Sequence, residues 1–166
     1  MSRCYISIGS NIDRDINIPS SLRALQQHFG KLTVSSIYES TAVGFSGDNF
    51  YNLVVGFDTE LDVTSVAKTL KQIESDHGRI HDSKKYSART LDLDLLLYDD
   101  LIIDEGRLQL PRQEIEHYAF VLEPLAEIAP ALTHPVRQLS YAVLWQNFNK
   151  CGLEQQRVEP KWLNHS

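Results

Sequence analysis

The chain has 166 residues, and its 16 Lys and Arg against 22 Asp and Glu give a formal net charge of −6 at pH 7. Its composition, 42% hydrophobic and 23% charged, is that of an ordinary globular domain with one core. No apolar run reaches the ~20 residues of a membrane-spanning helix, and the acidic balance argues against a nonspecific nucleic-acid binder, because affinity for phosphate backbones comes from accumulated Lys and Arg.

The two ends of the chain carry little further information. Residues 1–5 lead directly into a strand-like segment without the apolar stretch of a secretory signal, so we expect a cytoplasmic protein. Cys4 and Cys151 have no metal or redox spacing. We predict a single domain over residues 1–148, followed by a polar C-terminal extension over residues 149–166.

The hydrophobic periodicity predicts an alternation of strands and helices. In chain order we expect a strand at 4–8, a helix from Pro19 that ends at Gly30, strands at 33–38 and 50–58, a helix at 62–77 capped by Asp62, a strand at 91–98, a hairpin within 101–110 and a short helix at 120–128. The first elements follow the order βαββαβ, which is the ferredoxin-like arrangement. We therefore predict an α+β fold, an antiparallel sheet with helices on one face.

Two aspartates on one strand are the most informative feature. Side chains alternate along a strand, so Asp92 and Asp94 point to the same side, roughly 7 Å apart at their Cα atoms. Asp is depleted in strands, and a Mg²⁺ ion is well suited to neutralise such a pair while phosphate oxygens and water complete its octahedron. The alternative interpretation is the solvated face of a half-buried strand.

A basic stretch leads into these aspartates. It contains Arg79, Lys84, Lys85 and Arg89. Taken alone it is typical of a solvated loop, but cations for phosphate oxygens beside carboxylates for Mg²⁺ are what phosphoryl or pyrophosphoryl transfer requires. The sequence has no Gly-x-x-x-x-Gly-Lys-[Ser/Thr] loop and no kinase motif.

A third feature suits a flat heterocycle. Phe50 and Asn52 share one face of a predicted strand, which places an aromatic plane beside an amide that both donates and accepts. A core position is the alternative for Phe50. The six histidines form no ligand set, and we expect them at the surface.

Several segments together resemble one known family. The segment Arg89-Thr90-Leu91-Asp92-Leu93-Asp94 is similar to the signature of the 6-hydroxymethyl-7,8-dihydropterin pyrophosphokinases, which move pyrophosphate from ATP to a pterin hydroxymethyl group in folate biosynthesis. Further similar segments occur in the same order at residues 5–11, 33–38, 50–52, 78–79 and 124–130. The resemblance extends over about residues 4–145.

The resemblance implies a role for each matching residue. The catalytic set would be Arg79, Arg89, Asp92 and Asp94, in which the two aspartates hold two Mg²⁺ ions. The ATP-binding set would be Glu74, Arg79, Lys85, Arg89, Arg107 and Arg112. The pterin-binding set would be Thr41, Ala42, Val43, Phe50, Asn52 and Phe120, with the two phenylalanine rings on either side of the pterin. The expected partners are the pterin and ATP, with neither nucleic acid nor membrane, and a monomer is expected.

The chain departs from the family pattern at several phosphate-side positions. Tyr86-Ser87-Ala88 stands where Trp-Gly-Pro is usual, His81 and Tyr118 stand where arginines are usual, and Arg112-Gln113 replaces a His-Tyr pair. Each charge-assisted contact that is lost without replacement costs on the order of 1.5 to 3 kcal/mol. A divergent pterin- or nucleotide-binding paralogue with weak or altered activity is therefore the alternative hypothesis, and a purely structural interaction domain is a third.

Overall fold

A computed structural model describes residues 1–40, 49–78 and 91–165. Within these ranges the elements in chain order are β1 Ser2–Ser10, α1 Arg14–Phe29, β2 Thr33–Val34, β3 Ile37–Ser40, β4 Phe50–Thr59, α2 Val63–Asp76, β5 Asp92–Tyr98, β6 Ile103–Glu105, β7 Leu108–Leu110, α3 Glu114–His117, α4 Ala119–Ile128, α5 Tyr141–Gln146, β8 Gln155–Val158 and a 3₁₀ helix at Lys161–His165.

The main sheet has the strand order β5-β1-β4-β3-β8, and the pairings along it are antiparallel. The short strand β2 also pairs with β4, while β6 and β7 form a separate hairpin. The first four strands of this order, with α1 and α2, reproduce the ferredoxin-like βαββαβ arrangement. The predicted α+β class is therefore confirmed.

The helices cover both faces of the sheet, which corrects the expectation of helices on one face only. On the first face α1 and α2 pack over a core that includes Ile6, Leu53 and Leu93. On the second face α4 and α5 pack over Val54 and other buried residues. The sheet residues alternate between these two cores, so the central strands carry buried apolar side chains on both faces and both faces need a cover.

Two element boundaries differ from the prediction. The first helix begins at Arg14, so Pro19 lies inside it, where it removes one backbone donor. The strand expected at 33–38 is divided into β2 and β3. Between them the Ser35 N–H donates to the Val54 carbonyl at 2.9 Å, but the Val54 N–H donates at 2.9 Å to the Ser35 hydroxyl and not to a backbone carbonyl. The predicted cap at Asp62 is confirmed, since its carboxylate accepts the Ser65 N–H at 2.7 Å.

The C-terminal residues take part in this architecture. Strand β8, which the periodicity did not predict, pairs with β3. The Trp162 side chain packs against the first core, and its Nε1 donates to Asp15 Oδ1 at 2.8 Å. None of the helices in the described ranges combines the length and hydropathy needed to cross a membrane.

Candidate active site

The second face of the sheet forms the floor of the candidate site where β1, β4 and β5 lie side by side. Gly9 on the central strand β1 is in register with Asn52 of β4 and with Asp92 of β5. Ser7, two residues earlier, is in register with Asp94. The predicted carboxylates and the predicted amide thus lie on one face of the sheet, on the two strands that flank β1, with a glycine of β1 between them.

A cavity of about 790 Å³ lies over this floor. Five of the predicted site residues line it, namely Phe50, Asn52, Asp92, Asp94 and Phe120. Glu74, Arg107 and Arg112 are not among its lining residues. The predicted residues Thr41, Ala42, Val43, Arg79, Lys85 and Arg89 lie outside the part of the chain that the structure describes.

The two aspartates suit a divalent cation that also binds phosphate. Asp92 and Asp94 are each half-buried and reach the same cavity from alternate positions of β5. Among the described residues no cluster of three or more Asp, Glu, His or Cys side chains is placed to hold a metal ion. A pair of carboxylates open to a cavity is a poor cage for Ca²⁺ or Zn²⁺, but it is the usual protein share of a Mg²⁺ site that is completed by water and a nucleotide.

Glu74 fixes the backbone between the two aspartates. Its side chain is only 8% exposed, and its Oε2 accepts the Leu93 N–H at 2.7 Å. Strand β5 lies at the edge of the sheet, so this backbone donor would otherwise need another partner. The contact joins α2 to the strand that carries Asp92 and Asp94.

Arg112 provides a cation beside Asp94. Its backbone N–H donates to the Leu96 carbonyl at 3.1 Å, and its guanidinium lies 3.5 Å from Asp94 Oδ1 and forms an ion pair with Glu114. Partial burial opposes the charge of Arg112, but Asp94 and Glu114 outweigh burial and raise its pKa above the ordinary value. Arg107 lies exposed in the turn between β6 and β7.

The other end of the cavity is aromatic and polar. Phe50 and Phe120 are both partly exposed and line the cavity, so Phe50 is not a simple core residue. The Phe120 ring also stacks on Tyr118, with ring centroids 5.0 Å apart. Asn52 is 7% exposed, and its Nδ2 donates to Ser40 Oγ at 3.3 Å, which orients the amide.

Sequence reasoning missed several residues of this site. The lining residues that it did not nominate include Ser7, Gly9, Ser40, Tyr118, Phe148, Leu153, Glu154 and Gln155. Ser7 lies on the predicted strand 4–8, whereas Gly9 was expected in the turn after it. Because β1 continues to Ser10, the two residues share one face of the strand. The residues after Phe148 carried no periodic signal.

Comparison with known proteins identifies the family. Residues 5–130 match the family described as 7,8-dihydro-6-hydroxymethylpterin-pyrophosphokinase (HPPK). The chain belongs to the HPPK family. A 2-amino-4-hydroxy-6-hydroxymethyldihydropteridine pyrophosphokinase of Haemophilus influenzae is 34% identical over 143 residues, which cover 84% of this chain and 89% of the relative. The Bacillus subtilis protein of the same name is 37% identical over 128 residues, 75% of this chain and 76% of the relative.

Solved structures agree on the HPPK fold. A Plasmodium falciparum HPPK-DHPS structure superimposes on 94% of this chain with a TM-score of 0.73 at 14% sequence identity. The chain spans 48% of that longer protein. The resemblance inferred from the sequence is thus confirmed. The family match ends at residue 130, whereas Phe148 and residues 152–155 also line the cavity.

Proposed function

We propose that this chain transfers the pyrophosphoryl group of ATP to the hydroxymethyl group of 6-hydroxymethyl-7,8-dihydropterin and so acts in folate biosynthesis. The observation that carries the proposal is the shared cavity, in which the carboxylates of Asp92 and Asp94 face the same space as Phe50, Asn52 and Phe120. One end of the space suits the phosphates, and the other suits a flat ring with hydrogen-bonding edges.

The reaction that we propose is an in-line displacement. The pterin hydroxyl oxygen forms a bond to the β-phosphorus of ATP, the bond from that phosphorus to the oxygen bridging it to the α-phosphate breaks, AMP leaves, and the hydroxyl proton is released. The protein contributes orientation and charge stabilisation rather than covalent chemistry. Bound at Asp92 and Asp94, Mg²⁺ would neutralise phosphate charge, and we propose two ions.

The proposed ligand contacts follow the family pattern. Phe50 and Phe120 pack against the two faces of the pterin ring. Asn52 forms hydrogen bonds with the edge of the ring, together with the backbone at Thr41, Ala42 and Val43. The proposed ATP contacts are Glu74, Arg79, Lys85, Arg89, Arg107 and Arg112, of which Arg79 and Arg89 act with the aspartates in catalysis. The position of Arg112 beside Asp94 supports its share in this set.

The remaining proposals concern the whole protein. We propose a monomeric cytoplasmic enzyme with an HPPK-like domain over residues 1–148 and an extension at 149–166, whose strand β8 joins the same sheet. Sedimentation at micromolar concentration tests the oligomeric state, and a dimer there would contradict it.

The test is formation of AMP from ATP, Mg²⁺ and the hydroxymethyl pterin by the purified protein. Asp94→Asn keeps the shape of the side chain but removes its charge, so we expect turnover to fall by more than about 100-fold with the melting temperature nearly unchanged. The matched control is Asp104→Asn, an exposed aspartate of β6, which should keep full turnover. Turnover close to wild type for Asp94→Asn would contradict the metal assignment.

The alternative function is pterin binding with little or no turnover. Tyr118, which stands where an arginine is usual, stacks on Phe120 instead of supplying a cation. Calorimetry separates the two functions, because the alternative predicts tight pterin binding without AMP formation and without Mg²⁺-dependent binding of a nonhydrolysable ATP analogue.

A further inference from the structure

The C-terminal segment forms part of the cavity wall. Phe148, Leu153 and Gln155 line the same space as the predicted pterin residues, although they lie beyond the segment that matches the family. The wall therefore includes residues for which neither the family pattern nor the sequence periodicity gave a role.

The backbone brings this segment to the edge of the sheet through a turn. The Leu153 N–H donates to the Lys150 carbonyl at 3.1 Å, and Gly152 has a φ of 74°, a left-handed conformation that favours glycine. Strand β8 then pairs with β3, with Gln155 opposite Ser40. Ser40 is in turn opposite Phe50, so Gln155, Ser40 and Phe50 form one row across three strands.

The Gln155 side chain connects this row to the first turn of α4. Its Nε2 donates to the Ala119 carbonyl at 3.2 Å and to Glu123 Oε1 at 2.8 Å. Ala119 and Glu123 are four residues apart and therefore share one face of the helix. Phe120, whose ring lines the cavity, directly follows Ala119 in the same turn.

The next side chain on the same face of β8 strengthens this attachment. Arg157 Nε donates to Tyr38 Oη at 3.1 Å, and Tyr38 Oη donates to Glu127 Oε1 at 2.8 Å. Glu127 lies four residues after Glu123, so one stripe of α4 is bound along the sheet edge by β8 and β3. Gln156, between Gln155 and Arg157, is exposed and faces the opposite side of the sheet.

We infer that Gln155 is a positioning residue for the pterin: it fixes the first turn of α4 and thereby the Phe120 ring across the cavity from Phe50. The inference rests on the proposed function. It assigns to the C-terminal segment a share in pterin binding, with no role in holding the nucleotide.

The test compares Gln155→Met with Gln156→Met. Methionine has nearly the length of glutamine but no donor, and the two positions are adjacent residues of one strand that face opposite ways. For Gln155→Met we expect the pterin Kd and the pterin KM to rise about 10-fold, because the hydrogen bonds to Glu123 and to the Ala119 carbonyl are both lost. The KM for ATP should stay unchanged. Gln156→Met should match wild type in all three constants.

Two further variants separate positioning from general stability. Glu123→Met removes the acceptor on the helix but leaves the cavity lining intact, so it should raise the pterin KM and not that of ATP. Gln155→Lys keeps a donor for Glu123 and should restore pterin binding to within about 3-fold of wild type. A purely structural role predicts that the pterin and ATP constants change together with the melting temperature.

The outcomes are distinguishable. If wild type binds pterin and forms AMP while Gln155→Met keeps the wild-type pterin Kd, the inference is overturned and the proposed function stands. Should Gln155→Met not fold, an unchanged pterin Kd in Glu123→Met overturns the inference in the same way. If wild type itself binds no pterin, the proposed function fails, and the inference fails with it.

Discussion

At the scale of single residues, the site depends on close packing around Gly9. A Cβ atom built on Gly9 would lie 2.8 Å from Asn52 Oδ1, closer than two such atoms can stand. Gly9 also lies in register with Asp92. The glycine is therefore needed because the amide that we assign to the pterin edge occupies the space where a side chain would be.

Gly9→Ala should displace the Asn52 amide and weaken pterin binding. We expect the pterin Kd to rise by about 10- to 100-fold, the range for losing one or two buried hydrogen bonds, with ATP binding and the melting temperature little changed because a side chain and not the backbone moves. Calorimetry with pterin and with an ATP analogue measures this.

The matched control is Gly56→Ala. Its Cβ would lie 2.8 Å from the Tyr5 ring, and neither residue lines the cavity. This variant should lose stability but keep pterin affinity, and equal pterin affinity in the two variants would contradict the role of Gly9.

At the scale of elements, the connections between elements differ most from the sequence prediction. The connection from α4 to α5 contains His134, which is 2% exposed and not at the surface as expected. Its Nδ1 accepts the backbone N–H groups of Val136 and Arg137 at 3.1 and 3.0 Å. The imidazole replaces the backbone as acceptor within this turn, so a polar residue is buried with its hydrogen bonds satisfied.

This histidine predicts a loss of stability in mild acid. Burial lowers the pKa of His134, Arg137 lowers it further, and the nearby carboxylate of Glu116 opposes them. The unfolded chain therefore takes up this proton at a higher pH than the folded chain, so the free energy of unfolding falls as the pH drops below about 6.5. The contribution is fully present above that pH.

Urea unfolding between pH 7.5 and 5 measures this dependence. His134→Asn keeps an oxygen acceptor for the turn but cannot titrate, so it should reduce the slope of stability against pH. His28→Asn changes an exposed histidine and should leave the slope as in wild type. A slope in His134→Asn as steep as in wild type would assign the effect to other groups.

At the scale of the whole molecule, helices cover both faces of the sheet, and the two cysteines differ in their exposure to solvent. Cys4 is fully buried in the first core, whereas Cys151 is exposed near the C-terminal turn. Burial raises the pKa of the Cys4 thiol to about 12, and Asp99 and Asp58 add to the shift. The Cys4 thiol is therefore both inaccessible and protonated at neutral pH.

Thiol labelling should consequently report global unfolding. At pH 8 we expect a disulfide reagent to modify one thiol rapidly in the folded protein and both in urea. In Cys151→Ser the remaining reaction should proceed only as fast as the protein unfolds. Rapid labelling of Cys151→Ser without denaturant would show that the first core opens locally.

Local patterns in the sequence determined much of the fold. Alternation along strands correctly paired Asp92 with Asp94 and Phe50 with Asn52, and helical spacing located α2 and α4 to within a residue or two, because these relations depend only on backbone geometry over a few residues. The start of α1 was predicted too late, at Pro19, and a strand predicted as continuous is divided at Ser35. Both differences involve a backbone hydrogen bond that is absent or is replaced by a side-chain bond, and the hydrophobicity of the nearby residues does not reveal this.

Only the tertiary structure decided how these patterns meet. The register that places Gly9 between Asn52 and Asp92, the approach of Phe120 from α4, and the attachment of Gln155 to that helix all join residues that lie far apart in the chain. Such contacts are selected by packing of the whole sheet and leave no periodic trace in any one segment. The sequence therefore determined which residues we propose to carry the chemistry. Long-range packing decided that five of them share one cavity and that the C-terminal strand forms part of its wall.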